Sequence, residues 1–330
     1  MRESQVIERL RRIATAPEAR GLLDDVALLD GLVITHDSLA EGVHFLPHDP
    51  PASVGWKLVA VNLSDLAAKG ATPAGALLSL TISGPGSWEE QFLSGVEAAC
   101  ESYGLPLIGG DTIAIAAGAP RVLGLTAIGR AGPRVPHRSG GKAGDAIWLV
   151  GTIGDAAAGL AQLIADRHAA GPLVDIYRRP VPQLRAGQEL APMANAMMDV
   201  SDGLLLDAKR LAEASRCAMT IELDQLPLSS AFVAERGQDV GARLFAATGG
   251  DDYALLAALP ADIDPATLSL PRRTRISRIG SLAAGGASSL SLTSGSEPVD
   301  LPERLGFEHA GGPSDSDDRG IHGPPVADRP

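Results

Sequence analysis

The chain has 330 residues, 45% of them apolar and 21% charged, with a formal net charge of −12, a globular composition with room for two domains of ordinary size. That acidic balance repels phosphate backbones, and an aromatic content of 3% supplies few stacking platforms for bases, so nucleic acid is excluded as a partner. No apolar run reaches the roughly 18 residues of a membrane span, the first residues read as a polar helix rather than a leader, and Cys100 and Cys217 have neither metal-like nor disulfide spacing, so we expect a cytoplasmic protein with no membrane partner.

Residues 2–15 place Val6, Leu10 and Ile13 on one helical face. Two β-prone runs, 26–29 and 32–35, then flank Asp30-Gly31, a dipeptide that favours a two-residue hairpin turn. An ideal register sets Leu29 opposite Leu32 and Ala27 opposite Ile34; continued outward, it sets Asp25 opposite His36 and Asp24 opposite Asp37. Carboxylates about 5 Å apart repel by roughly 3 kcal/mol at an effective dielectric of about 20, so this end is either a solvated acidic loop or a seat for a hard divalent cation.

A loop over 38–51 leads to a helix over 53–69, punctuated by Gly70 and Pro73, with Trp56, Val59, Leu63 and Leu66 facing the core. Asn62, Asp65 and Lys69 share another side, and an aspartate in so apolar a helix needs a reason. Residues 74–83 read as a strand. Ser87 with Glu90 is a capping-box signature opening a helix that closes at Gly104. A strand at 105–108 feeds a glycine-rich turn at 109–112, and 121–128 supplies another strand. Helices and strands that alternate but include a hairpin predict a mixed α/β (α+β) sandwich rather than a doubly wound parallel sheet.

Composition turns to Gly, Pro and basic residues across 129–144, where we place a domain boundary. Beyond it we read a strand at 146–150, an alanine-rich helix ending near His168, a polar loop over 171–183, a helix over 184–196, the short apolar stretch 197–200 and a helix over 204–215. Strands follow at 218–223, 253–259, 274–279 and 290–292. Residues 310–330, rich in Gly, Pro and Asp, bury too little apolar surface to offset ordering entropy and read as a disordered tail.

Aspartates recur at the ends of apolar runs, beside Gly or Ser: Asp24, Asp25, Asp37, Asp65, Asp111, Asp199, Asp202, Asp251 and Asp252. Any one of them is a common turn residue or helix cap. The set, without His/Cys clusters, favours Mg²⁺, which enters with substrate phosphates. No GxxxxGK[ST] loop and no GxGxxG between strand and helix occurs, so phosphate handling in a nucleotide enzyme of this sequence has to be metal-dominated. Arg130, Arg134, His137, Arg138 and Lys142 are either a soluble linker or the complement to phosphate, with Arg138 best placed for a bidentate fork.

Taken in order, Asp24-Asp25, Thr35-His36-Asp37, EGVHF (41–45), AVNLSDLAAKGATP (60–73), LIGGDT (107–112), RSGGKAGD (138–145), GTIGDAAAGL (151–160), DVSDGL (199–204) and GGDDYALL (249–256) make the chain resemble the thiamine-monophosphate kinase family, in the PurM-like (aminoimidazole ribonucleotide synthetase) superfamily. The resemblance implies two PurM-like α/β domains, which we draw at 1–135 and 136–309, and a homodimer formed through the N-terminal one. It also implies transfer of the γ-phosphoryl group of ATP onto thiamine monophosphate at a site with several Mg²⁺ ions. Carried over by position, the metal ligands are Asp25, Thr35, His36, Asp37, Asp65, Asp111, Asp199 and Asp202. Tyr103, Gly110, Asp111, Arg138 and Ser201 line the ATP site, His44 and Asp251 contact thiamine monophosphate, and Asp65, Arg138 and Asp202 are the catalytic set. The resemblance assigns Asp25, not Asp24, to the metal. The family pattern has Gly where this chain has Leu23, Thr at His36, Glu at Asp251 and a C-terminal aromatic near Ala310. Rival readings are another ATP-dependent synthetase of the superfamily and a degenerate Mg-nucleotide-binding regulatory protein. His44 within EGVHF and the NLSDLAA run favour the kinase.

Overall fold

The computed structural model describes residues 3–84, 86–268, 270, 274–285 and 289–308; the expected tail over 310–330 and Ala310 lie outside the described residues. Helix α1 (Glu3–Arg11) stops short of the expected 15 because Val6, Leu10 and Ile13 stay exposed, and no tertiary packing extends so short a helix. Strands β1 (Ala27–Leu29) and β2 (Leu32–Ala40) form the hairpin in the register read from the sequence, Leu29 opposite Leu32 and Ala27 opposite Ile34. Asp30 and Gly31 take φ of 48° and 77°, the left-handed pair of a type I′ turn. The ladder ends at Ala27, so Asp24 and Asp25 leave the sheet and the expected facing of Asp24 and Asp37 is not made.

Helix α2 (Pro51–Ala68), strand β3 (Thr72–Ile82), helix α3 (Trp88–Tyr103) and strands β4 (Leu107–Ala114) and β5 (Val122–Arg130) complete the first half. Its five-stranded sheet runs β1-β2-β5-β3-β4, with β3 and β4 parallel and the other neighbours antiparallel. The glycines at 109 and 110 do not turn the chain; they lie within β4, where Gly110 pairs with Leu78 and a Cβ on it would fall 2.0 Å from the Leu78 carbonyl oxygen. The capping box at Ser87 does not form either. With ψ of 4° Ser87 lacks the extended geometry of a cap, and its Oγ instead accepts from Gln91 Nε2 at 3.1 Å. Gly104 closes α3 in the left-handed conformation, as expected.

The second half contains β6 (Ala146–Val150), α4 (Asp155–Ala165), α5 (Pro172–Arg178), α6 (Leu184–Leu190), β7 (Ala196–Val200), α7 (Leu204–Ser215), β8 (Cys217–Glu222), α8 (Ser230–Arg236), α9 (Val240–Thr248), β9 (Ala254–Leu259), β10 (Ile276–Ala284), β11 (Leu290–Ser294) and β12 (Glu297–Val299). Its seven-stranded sheet runs β12-β11-β8-β10-β6-β9-β7, parallel only between β11 and β8. The stretch read as a loop at 171–183 holds α5, which starts on Pro172, favourable at a first helical position, and buries Leu173, Val174 and Tyr177. Helix α6 ends at Leu190, not at 196, because Pro192 has no amide hydrogen to continue it.

Helix α2 joins the halves. Of its residues only Pro51, Ala52 and Trp56 are not fully buried, since it packs on β2 and β5 of the first sheet and on α6, β7 and β9 of the second half. Glycines let its neighbours approach to backbone distance. A Cβ on Gly95 of α3 would stand 1.9 Å from the Ala52 carbonyl oxygen, and one on Gly187 of α6 would stand 1.9 Å from that of Ala67. Gly95→Val must push α2 and α3 apart, and we expect a loss of about 3 kcal/mol of unfolding free energy, read as a lower urea midpoint at unchanged slope.

Candidate active site

The polar side of α2 meets the hairpin. Asn62 Oδ1 accepts the Asp37 amide at 2.9 Å, its Nδ2 donates to the Leu58 carbonyl at 2.9 Å, and Asp65 accepts from the Thr35 hydroxyl. On an adjoining side of the same helix, the Ser64 hydroxyl donates to Asp199 Oδ2 at 2.7 Å, reaching β7 in the other half. In consequence one carboxylate oxygen from each of Asp25, Asp65 and Asp199 lies within 4.8 Å of the others. At an effective dielectric of about 20, each such pair repels by about 3 kcal/mol.

The titration behaviour follows from that crowding. Burial raises Asp65 well above the ordinary carboxylate range, and Asp37, Asp199 and Asp25 raise it further against the Thr35 hydrogen bond. Asp199 is raised by burial first and Asp25 next, and Asp37 is pushed up to about 6, chiefly by burial. Burial acts on Asp25 in the same direction, but Lys69 and Arg138 outweigh it and hold Asp25 below the usual range. Lys69, 0% exposed, places Nζ 2.7 Å from Asp24 Oδ1, 2.7 Å from Asp25 Oδ2 and 2.9 Å from the Met197 carbonyl oxygen. Arg138 pairs with the remaining oxygen of Asp25, and Arg20 with Asp24 Oδ2 at 2.5 Å. Asp24 is therefore a partner of buried cations, and Asp25 is the acid that enters the cluster.

The donor set is made of oxygen alone: Asp25, Asp65 and Asp199, with the Thr35 hydroxyl on Asp65 and Asp37 close enough to perturb it. Crowded, buried carboxylates without nitrogen or sulfur fit a hard divalent cation such as Mg²⁺ and do not suit zinc. The 199–204 segment flanks them. Asp207 accepts the amides of Ser201 and Asp202, each at 3.1 Å, and Arg210 bridges Asp202 at 2.5 Å and Asp207 at 2.8 Å. Asp202 thus stands at the rim of the cluster with its side chain 26% exposed. Asp252 is turned away and accepts the Gly154 amide at 2.9 Å, tying down the start of α4.

His44 and Asp251 meet through Lys57. Its Nζ donates to the His44 carbonyl at 3.0 Å and to Asp251 Oδ2 at 2.7 Å. Four other expected site residues do not join the cluster of Asp25, Asp65 and Asp199. His36 alternates to the open face of the first sheet, its Nδ1 2.9 Å from Thr126 Oγ1. Asp111, exposed on β4, is level with Ser79, Gly124 and Ser38 on that open face. Gly110 is exposed beside it, and Tyr103 ends α3 with its ring edge-on to Trp56 at 5.6 Å between centroids. Sequence reasoning missed the roles of Lys57, Lys69, Ser64 and Arg210. The available signal was the presence of two lysines in and just after a helix otherwise so apolar.

The chain was compared with known families, curated proteins and solved structures. The family model described as AIR synthase related protein, N-terminal domain, matches residues 23–131, and its C-terminal counterpart matches 142–292. The chain is 40% identical over 252 residues to a thiamine-monophosphate kinase of Salmonella typhimurium, covering 73% of this chain and 76% of that one. It is 35% identical over 326 residues to a thiamine-monophosphate kinase of Caulobacter vibrioides, covering 92% and 89%. The solved structure of AaThiL complexed with AMPPCP and TMP superposes with a TM-score of 0.81 at 30% identity, covering 94% of this chain and 97% of that one.

Asp65→Asn removes one charge from the crowded acids while keeping an acceptor for Thr35. The variant is expected to melt at or above the unsubstituted protein without metal, and to lose most of the rise in Tm that Mg²⁺ gives, a rise equivalent to about 2.7 kcal/mol at a hundredfold excess over Kd. Thermal melts with and without MgCl₂ read both effects.

Proposed function

Because the chain belongs to the AIR synthase related proteins and, among them, to the thiamine-monophosphate kinases, we propose that it transfers the γ-phosphoryl group of ATP to the phosphate of thiamine monophosphate, giving thiamine diphosphate and ADP. The observation that carries the chemistry is the convergence of Asp25, Asp65 and Asp199, from both halves of the chain, beside Arg138. Asp25, Thr35, Asp37, Asp65, Asp199 and Asp202 would hold Mg²⁺. Bound there, Mg²⁺ supplies charge neutralisation for two anionic reactants and the developing charge between them.

The side chains do the rest. The acceptor is a phosphate oxygen already ionised at neutral pH, so no residue has to act as a general base, and attack on the γ-phosphorus is direct and in line. Asp65 and Asp202 would be among the residues that hold the ions, and Arg138 turns from Asp25 to fork onto phosphate. Ser201, in a loop whose amides Asp207 holds, lines the nucleotide site, and His44 and Asp251 orient the acceptor.

The same reading extends to assembly. We place the domains at 1–135 and 136–309 and pair the N-terminal ones into a cytoplasmic homodimer. The open face of the first sheet supports this, with Leu77, Ile113 and Val122 39%, 51% and 52% exposed, as does β4, all of whose residues are exposed and which ends the sheet. His36, Gly110 and Asp111 then lie at the subunit interface.

Purified protein with ATP, Mg²⁺ and thiamine monophosphate is expected to form thiamine diphosphate, resolved by chromatography, and free thiamine as the sole acceptor would contradict the proposal. Asp65→Asn should lower kcat by about a hundredfold or more. Placing aspartates at both Leu77 and Ile113 should shift the mass measured by light scattering from dimer to monomer.

A further inference from the structure

Lys57 is one of the largest fully buried side chains, yet neither the metal cluster nor the nucleotide site uses it. Its ammonium donates to the His44 carbonyl at 3.0 Å and to Asp251 Oδ2 at 2.7 Å, and lies over the Tyr177 ring, whose centroid is 4.2 Å from Nζ. An ammonium so committed, on a side chain only 2% exposed, is not available to bind a phosphate. Asp251 is gripped a second time, because the Tyr253 hydroxyl donates to its Oδ1 at 2.9 Å. The turn between them is held in a conformation that side chains disfavour, with φ of 68° at Asp251 and 51° at Tyr253. Their amides anchor it, donating to the Ser201 and Val200 carbonyls, each at 2.8 Å. The outcome is a carboxylate fixed at both oxygens that keeps 27% of its side chain open.

A carboxylate offers only acceptor positions. Among the ring groups of thiamine monophosphate, the hydrogen-bond donor is the exocyclic amine of the pyrimidine; the thiazolium carries a positive charge and no N–H. We propose that Lys57 is a positioning residue for the acceptor substrate. It orients Asp251 as the acceptor for the pyrimidine amine, and it offsets the carboxylate's charge so that Asp251 does not draw the thiazolium toward itself and the phosphate out of line. By holding the His44 carbonyl with the same ammonium, it keeps the 41–45 loop and the 251–253 turn at a set spacing. The inference rests on the kinase reading and adds to it the part of the substrate that is recognised.

Steady-state kinetics with thiamine monophosphate, and with its analogue bearing a ring carbonyl in place of the amine, test it. Lys57→Met should raise KM for thiamine monophosphate by roughly tenfold or more, leave KM for ATP unchanged, and reduce the preference for amine over carbonyl by a similar factor. Lys57→Arg should recover part of that preference. Tyr253→Phe, which loosens the same carboxylate from its other side, should show the effect in weaker form and serves if Lys57→Met does not fold. Equal damage to kcat and to both KM values, or an intact preference for the amine in both variants, overturns the proposal. If the unsubstituted enzyme itself does not turn over thiamine monophosphate, the kinase reading falls and takes this inference with it, whereas normal wild-type turnover with unaffected variants removes the inference alone.

Discussion

The fold depends on a polar requirement inside an apolar helix. α2 is buried along nearly its whole length, so every polar side chain it carries must find a partner. Asn62 and Asp65 find theirs on the hairpin, Ser64 finds its partner in the other half, and Lys57 and Lys69, the residue that caps the helix, bond to both halves. Satisfying these groups requires the two sheets to lie against one helix. The arrangement that meets the hydrogen-bond demand of the core is also the one that brings distant aspartates together.

Charge balance sets what that meeting place can be. Asp24 and Asp25 have Lys69, Arg20 and Arg138, but Asp65 and Asp199 accept from the Thr35 and Ser64 hydroxyls and pair with no cation among the described residues. The compensated pair holds position as an ion network, and the uncompensated pair stays crowded, both acids raised above the ordinary carboxylate range chiefly by burial. Replacing the latter with apolar residues would relieve that crowding and, on the proposed reading, remove the chemistry, which is the usual relation between a strained site and its scaffold.

Much of this was legible in the residues, and the misses have physical reasons. Asp30-Gly31 predicts the hairpin because few other dipeptides take two left-handed conformations in succession. The span of α2 and the side shared by Asn62, Asp65 and Lys69 follow from helical periodicity and from Gly70. The glycines at 109 and 110 were misread because the same residue marks a turn or a close strand pairing, and only the β3 partner distinguishes them. Helices α8 and α9 went unassigned because they are short and their burial against the second sheet, not their own pattern, decides them. Lys57 and Lys69 were legible as residues but not as buried ones, since a lysine on a helix ordinarily reaches for water.

Gly95 and Gly187 press α3 and α6 onto α2 at main-chain distance from two sides. A rod clamped in this way can neither slide nor roll without atomic overlap, so it acts as a fixed axle. Whatever closing motion accompanies the arrival of reactants is therefore confined to side chains at the rim such as Arg138, because Lys57 and the amides of Asp251 and Tyr253 tie down the 41–45 loop and the turn after Gly250 as well. Adaptation to a different acceptor would have to begin at that rim, where a residue can change size without dislodging the axle.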